Sequence, residues 1–403
     1  MNIKKAAVIG AGTMGAQIAQ VISHAGVPVI LMDIHEDGVA RGLETIRKIY
    51  QTRVDKGRMK AAEAEQKAAL VVGASNYDGF GDVDVVIEAV FEEMEVKRKV
   101  FTALDAACPP RTVLATNTSS LSISAIASVT RRPKQVIGMH FFNPVYAMKL
   151  VEVIPGLDTS PETVHDVVAL AERLGKTPIR VRECPGFVVN RLLMPYLNEA
   201  ALALQEGAAS ANEIDGAMKA FGMPMGPFTL LDMIGIDIAE KVSQILYDAY
   251  GPRMAVAEIL SEMVAAKRFG RKSGAGVYRY DDENDEQMTQ ILQKVRKNVG
   301  VAETGFAPER LLLLMINEAA ICLQEGTATA GDLDLAMVFG TGFPREKGGP
   351  LHYADQVGLD VLLKELQRHA ASLGPRFWPA PIIKRMVGAG YIGLKSRRGF
   401  FTY

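Results

Sequence analysis

Short apolar runs of strand length alternate with amphipathic stretches over residues 1–183. Ala6-Ala7-Val8-Ile9 is apolar and ends at a glycine, and Ala16–Ala25 has helical spacing. Val27–Met32 is again strand-like, and helical stretches follow over Val39–Val54 and Ala61–Leu70. Val83–Glu88, Thr112–Ala115 and Gln135–Phe141 complete the strand pattern. Strands that alternate with helices predict a mainly parallel sheet covered by helices on both faces.

The pattern changes near Pro185, after which apolar residues recur at helical spacing and strand patterns all but vanish. The helical part also repeats. Arg191-Leu-Leu returns as Arg310-Leu-Leu, Asn198-Glu-Ala-Ala as Asn317-Glu-Ala-Ala, and Gln205-Glu-Gly as Gln324-Glu-Gly, all at an offset of 119. Further on the offset is 123, matching Gly226-Pro227 to Gly349-Pro350, Asp232 to Asp355, and Lys272-Ser to Lys395-Ser. So many ordered matches predict a duplicated helical domain. The expected division is an α/β dinucleotide-binding domain over 1–183, a first all-α copy over 184–283, a linker over 284–302 and a second all-α copy over 303–403. The acidic run from Asp281 to Glu286 reads as a solvated linker or a helix start.

Composition narrows the function. Lys and Arg total 45 against 46 Asp and Glu, so no basic field favours nucleic acid. The apolar runs are too short for a signal peptide or a membrane span, which predicts a cytoplasmic protein with no membrane partner. The three cysteines, Cys108, Cys184 and Cys322, form no CxxC pair. They read as buried core thiols in a reducing compartment, and no metal site is expected.

Gly10-Ala-Gly12-Thr13-Met14-Gly15 directly follows the first apolar run and opens a helix. In that context a GxGxxG loop binds a dinucleotide. The first glycine allows the turn, the second lets the backbone approach the pyrophosphate, and the third lets helix and strand pack closely. Asp33 ends the second strand, where a carboxylate binds the adenosine ribose hydroxyls and repels a 2′-phosphate. The expected cofactor is NAD rather than NADP.

His140 ends the apolar run Val136–Met139, and Glu152 lies inside the run Lys149–Ile154. If the two runs form a hairpin turning at about Val145–Tyr146, positions that face one another sum to roughly 292. That register pairs His140 with Glu152. A carboxylate inside an apolar strand is costly unless paired or functional. Beside a histidine it orients the imidazole and stabilises its protonated form, as an acid/base pair requires. His24, His35, His165, His352 and His369 read as surface or helix positions without such partners.

Several motifs now stand in order: Asn117-Thr-Ser119-Ser-Leu, His140-Phe-Phe-Asn143-Pro, Leu150-Val-Glu152-Val, Pro185-Gly-Phe-Val-Val-Asn190-Arg191, Met225-Gly-Pro-Phe-Thr-Leu-Leu-Asp232 and Gly270-Arg-Lys272-Ser-Gly. Over residues 1–280 the chain resembles the 3-hydroxyacyl-CoA dehydrogenase family. With its repeat it is similar to the dehydrogenase portion of multifunctional β-oxidation enzymes, without their hydratase half. The resemblance implies oxidation of a 3-hydroxyacyl-CoA to a 3-oxoacyl-CoA, with NAD as hydride acceptor. It implies that His140 is the acid/base, that Glu152 orients it, and that Ser119 and Asn190 hold the reacting end of the substrate. Glu92, Lys97, Asn117, Asn143 and Lys272 match positions that contact NAD. Lys56, with Lys60 nearby, matches a position that meets the CoA nucleotide.

Asn190 aligns with Glu309, so the second copy lacks the substrate asparagine and has no dinucleotide domain. A structural role follows. Single-copy members dimerise through this domain, and the duplicate could cover the same surface within one chain, giving a monomer with an internal pseudo-dimer, or a dimer. Two alternatives stay open: a dehydrogenase of a β-hydroxy acid not attached to CoA, and a non-enzymatic NAD-binding protein.

Overall fold

The computed structural model describes residues 3–280, 285–299 and 305–403. The chain divides into two compact units, Met1–Phe187 and Val188–Tyr403.

The first unit is built on eight strands: β1 (Ala6–Ile9), β2 (Val29–Met32), β3 (Val71–Ala74), β4 (Val85–Glu88), β5 (Val113–Thr116), β6 (Val136–Phe141), β7 (Leu150–Pro155) and β8 (Thr177–Arg180). They form one sheet in the order β3-β2-β1-β4-β5-β6-β7-β8. All neighbours run parallel except β6 and β7, which are antiparallel. Every residue of β1, β2, β4 and β5 is buried. Alternate side chains point to opposite faces, so both faces of the central sheet are covered. The covering helices of this unit are α1 (Thr13–His24), α2 (Glu36–Asp55), α3 (Ala61–Ala68), α4 (Met94–Ala107), α5 (Ile123–Ala127) and α6 (Pro161–Arg173). The strand order reverses between β1 and β4, which opens a crevice at their carboxyl ends.

Two edge strands escaped the apolar pattern for physical reasons. β3 pairs only with β2 and exposes Val72 and Gly73. β8 contains Pro178 and buries only Ile179. Edge strands have one partner and need no continuous apolar run.

The second unit is helical. Its first copy holds α7 (Val189–Gln205), α8 (Ala211–Phe221), α9 (Pro227–Ile234), α10 (Ile236–Tyr250) and α11 (Glu258–Ala265). After α12 (Glu286–Val299), the second copy repeats the series as α13 (Glu309–Glu325), α14 (Ala330–Gly340), α15 (Pro350–Val357), α16 (Leu359–Leu373) and α17 (Pro381–Gly388). The stretch expected to be linker, 284–302, is therefore helical over α12. Its buried Met288, Ile291 and Val295 recur at helical spacing and dock it as a packed element. Asp281 to Asn284 lie outside the described residues. Asp285 helps to fix the start of α12, where it accepts the Met288 amide at 3.0 Å and pairs with Arg268 at 2.6 Å.

The repeat extends to individual hydrogen bonds. Asp232 accepts the amides of Val277 and Tyr278, and Asp355 those of Phe400 and Phe401. Gly276 and Gly399 make this wrap possible, because a Cβ at either would lie 1.9 Å from the aspartate oxygen.

The two copies grip one another through α7 and α13. Arg191 Nε meets Glu318 at 2.7 Å and Arg310 Nε meets Glu199 at 2.6 Å. Arg191 also reaches Glu325, and Arg310 reaches Glu206, each at 2.6 Å. Arg253 adds to Glu318 and Arg376 to Glu199. Each pair is the image of the other under the sequence repeat. Arg191 and Glu199 are buried, at 1% and 0% exposure. Two arginines facing each glutamate repay its desolvation only while the set is complete.

Removing one partner should therefore be strongly destabilising. Glu199→Leu is expected to cost about 3–5 kcal/mol by leaving the buried Arg310, together with Arg376, with Glu206 as their shared remaining carboxylate. Urea unfolding of the full chain, followed by circular dichroism, measures it; a loss below about 1 kcal/mol contradicts the account.

Candidate active site

The site begins at the switch point of the sheet. Gly10 has φ +93°, and a Cβ there would lie 2.6 Å from the Ala89 carbonyl oxygen beyond β4. A Cβ on Gly15 would lie 1.7 Å from the Gly10 oxygen. Both positions demand glycine. Gly12 differs: a Cβ there meets nothing within 4 Å. No side chain caps α1 at Gly12, and Thr13 is exposed while Met14 is half-buried. Open space above an uncapped helix start suits a dinucleotide pyrophosphate. Asp33 follows β2, and its Oδ2 accepts the Ala11 amide at 2.9 Å, which ties it to the glycine loop. These residues fit a bound NAD.

Across the crevice, Glu88 ends β4 at 0% exposure. Lys97 of α4 pairs with it at 2.7 Å and with Glu92 at 3.4 Å. Thr116 donates to its other oxygen at 2.6 Å. Lys97 is itself 1% exposed, so its charge is satisfied within the protein. Glu92 is half-buried. Its Oε1 accepts Thr118 Oγ1 at 2.7 Å, the Ser119 amide at 2.8 Å and Ser119 Oγ at 3.1 Å. Burial works against its charge, but Lys97 and these donors outweigh burial and hold the carboxyl below the usual range. Glu92 thereby anchors the Ser119 turn. Sequence reading missed Glu88 as the base of this stack, although a charge at the end of Val85-Val86-Ile87 was a visible signal.

β6 and β7 pair in the register that faces His140 with Glu152. His140 Nδ1 and Glu152 Oε2 are 2.7 Å apart. Glu152 is fully buried and His140 is 8% exposed. An ionised carboxylate can only accept, so against it Nδ1–H is the donor and Nε2 lies outside this bond. Phe142 and Phe187 pack on the imidazole, with ring centroids at 4.5 and 6.0 Å. Asn117 Oδ1 accepts the Phe141 amide at 2.8 Å, joining the end of β5 to that of β6. Gln17 of α1, buried, donates to Asn143 Oδ1 at 3.2 Å and accepts the Val145 amide at 2.6 Å. It ties the dinucleotide helix to the turn after His140. Its signal in the sequence was a polar side chain on the buried face of α1.

In the helical unit, Asn190 is half-buried at the start of α7. Lys272 pairs with Asp237 at 2.6 Å. The second copy repeats this as Lys395 with Asp360 at 3.6 Å, so the pairing belongs to the helical fold. Lys56 and Lys60 are exposed at the end of α2 and the start of α3. Two expectations need correction. His352 does have a carboxylate partner: Asp334 lies 2.9 Å from its Nδ1, from a helix whose proximity no strand register announces. Cys184 is half-buried rather than a core thiol, while Cys108 and Cys322 are buried. Among the described residues no cluster of three or more His, Cys, Asp or Glu could hold a metal ion, and no helix is long and apolar enough to cross a membrane.

Residues 5–184 match the 3-hydroxyacyl-CoA dehydrogenase NAD binding domain, and residues 186–280 and 305–403 match the C-terminal domain of the same family. The chain belongs to the 3-hydroxyacyl-CoA dehydrogenase family. It is 40% identical over 396 residues to the fatty acid oxidation complex subunit alpha of Shewanella amazonensis. That match covers 96% of this chain but 56% of the relative, so the chain spans little more than half of that protein. Among solved structures, 3-hydroxybutyryl-CoA dehydrogenase from Escherichia coli is similar with a TM-score of 0.89 and 31% identity, over 97% of this chain and 100% of that one. (S)-3-hydroxybutyryl-CoA dehydrogenase from Ralstonia eutropha is 42% identical with a TM-score of 0.68, over 70% of this chain and all of that one. The family's domain architecture, an NAD-binding sheet followed by helical C-terminal domains, is the fold described above.

Asp33 should set the choice of dinucleotide. The expected kcat/KM is higher with NAD than with NADP, and Asp33→Ala should lower it with NAD about tenfold, the worth of one charged hydrogen bond. Steady-state kinetics with both cofactors decide it, and a preference for NADP in the unaltered protein refutes the role of Asp33.

Proposed function

We propose that this protein oxidises (S)-3-hydroxyacyl-CoA to 3-oxoacyl-CoA reversibly, with NAD as hydride acceptor. The observation that carries the reading is the buried His140–Glu152 pair at 2.7 Å, at the carboxyl end of β6 in an NAD-binding domain. Gly10, Gly12, Thr13, Met14, Gly15 and Asp33 would hold the cofactor, with Glu92, Asn117, Asn143 and Lys272 as further contacts. Lys97 serves by fixing Glu92. Bound NAD would accept hydride from C3 of the substrate. His140 Nε2 takes the 3-hydroxyl proton in oxidation and returns it in reduction. Glu152 holds the ring in the tautomer that leaves Nε2 free and stabilises the imidazolium. Ser119, set by Glu92, and Asn190 hold the thioester end, while Lys56 and Lys60 meet the CoA nucleotide. The aromatic cover of Phe142 and Phe187 limits water around the ring.

The second helical copy is read as a structural stand-in for a partner subunit. The reciprocal Arg191–Glu318 and Arg310–Glu199 pairs support an internal pseudo-dimer and hence a monomeric chain. A cytoplasmic location is part of the same proposal.

His140→Gln is expected to lower kcat by about 10²–10⁴-fold with NAD affinity unchanged. Stopped-flow reduction of acetoacetyl-CoA by NADH, alongside NADH titration, measures both; near-normal turnover would overturn the assignment. Acetoacetyl-CoA should also be a far better oxidant of NADH than free acetoacetate, and the reverse order would favour a dehydrogenase of free β-hydroxy acids. Removing residues 300–403 should uncover the α7 face and produce dimers or aggregates in sedimentation, whereas a monomeric, fully active truncation contradicts the stand-in role.

A further inference from the structure

After β8 the chain turns tightly over residues 184–187 before α7 begins. The Phe187 amide closes that turn on the Cys184 carbonyl at 3.0 Å. Gly186 and Phe187 both have positive φ, at +75° and +48°. Glycine adopts this conformation freely, whereas a bulky side chain does so at a cost in free energy. Phe187 is therefore held in a disfavoured backbone, and such residues persist only where their surroundings over-determine them. Its ring is 1% exposed and lies on the His140 imidazole, with centroids 6.0 Å apart. Glu152 fixes that imidazole at Nδ1 alone. One hydrogen bond leaves a ring free to swing about it, so its plane is set by the aromatic neighbours, Phe142 and Phe187.

The residue just before the turn fastens it. Glu183 Oε1 accepts Ser122 Oγ at 2.6 Å and the Ser124 amide at 3.1 Å, and its Oε2 accepts Ser124 Oγ. The Ser124 amide is one of the N–H groups that the start of α5 leaves without a partner inside the helix. The anchorage is itself secured. Ser122 caps α5 on the Ala125 amide at 3.1 Å, and Ser124 Oγ accepts the Leu157 amide, after β7, at 2.9 Å. Glu183 is only half-buried, so desolvation does not force it to pair, yet both of its oxygens are engaged on α5.

We propose that Glu183 is a positioning residue for His140 and acts through Phe187. By pinning residues 184–187 to the start of α5, it keeps the Phe187 ring on the imidazole, so that His140 stays covered and Nε2 keeps its aim. The inference rests on the proposed role of His140 as the acid/base. Glu183 itself takes no proton from the substrate. A misplacement of about 1 Å in a reacting group can cost about 100-fold in rate, so a side chain that only holds another in place can govern turnover.

Two measurements on the full chain test this. Diethyl pyrocarbonate acylates imidazole nitrogen, and peptide mass mapping of the labelled protein reports how well His140 is covered. Glu183→Ala and Phe187→Ala should each label His140 several-fold faster than the unaltered protein, while the exposed His165 labels at the same rate in all three. Each variant should also lower kcat for acetoacetyl-CoA reduction by about tenfold or more, with NADH affinity unchanged. The double variant should be no slower than Phe187→Ala alone, because Glu183 acts through that ring. Phe187→Leu keeps a buried apolar side chain without the ring and should be slowed as well; circular dichroism confirms that each variant is folded. Unchanged labelling or unchanged kcat in Glu183→Ala, or additive losses in the double variant, overturns the proposal. Labelling needs no turnover, so it decides whether Glu183 holds the cover on His140 even if the unaltered protein does not reduce acetoacetyl-CoA, a result that would count against the proposed function instead.

Discussion

A carboxylate with no access to water must be paired or it must give up its charge. Glu152 meets that demand in the middle of a sheet strand, through the imidazole of His140. The bond requires β6 and β7 to run antiparallel in one register, because a slip by one residue would turn the two side chains to opposite faces. Much of the site is arranged around keeping that register. Gln17 pins the turn from α1, Lys176 holds it from the far side, and Asn117 bonds β6 from β5. The proposed chemistry and the fold thus share one constraint, since the pair that settles the buried carboxylate also turns Nδ1 of the ring inward and leaves Nε2 outside that bond.

Beside it stands a second buried stack, in which Lys97 lies under Glu88 and Glu92. Its energy is committed inside the protein, and what reaches the crevice is geometry: a charged Glu92 with Thr118 and Ser119 hydrogen-bonded to it. The helical unit solves a like problem by symmetry. Arg191 and Arg310 would each be stranded within a single copy, and each finds its carboxylates on the other. Duplication therefore does more than add surface, because each copy completes the charge balance of its twin.

Where the sequence spoke clearly, it did so through local periodicity or an anomaly within it. The glycine loop was legible because strand, turn and helix succeed one another without a gap. Glu152 stood out because a charge interrupts an apolar run, and the hairpin arithmetic then named its partner. Glu88 carried the same kind of anomaly and went unread, since its partners come from α4 and β5 rather than from a neighbouring hairpin strand. The Asp334–His352 pair was hidden for the same reason: helices bring residues together at distances that no strand register predicts. The edge strands β3 and β8 were faint because a strand with one neighbour need not be apolar.

By itself the sequence determined the alternation of strands and helices, the dinucleotide loop, the His140–Glu152 register and the duplication. Each of these rests on spacing along the chain, which short-range stereochemistry converts directly into structure. The tertiary structure alone decided that α12 is a packed helix, that Lys97 lies beneath Glu92, that the two helical copies exchange arginines, and that Glu183 reaches the start of α5. Those facts depend on side chains far apart in the chain competing for the same buried space, and burial is a property of the whole fold that no local pattern contains.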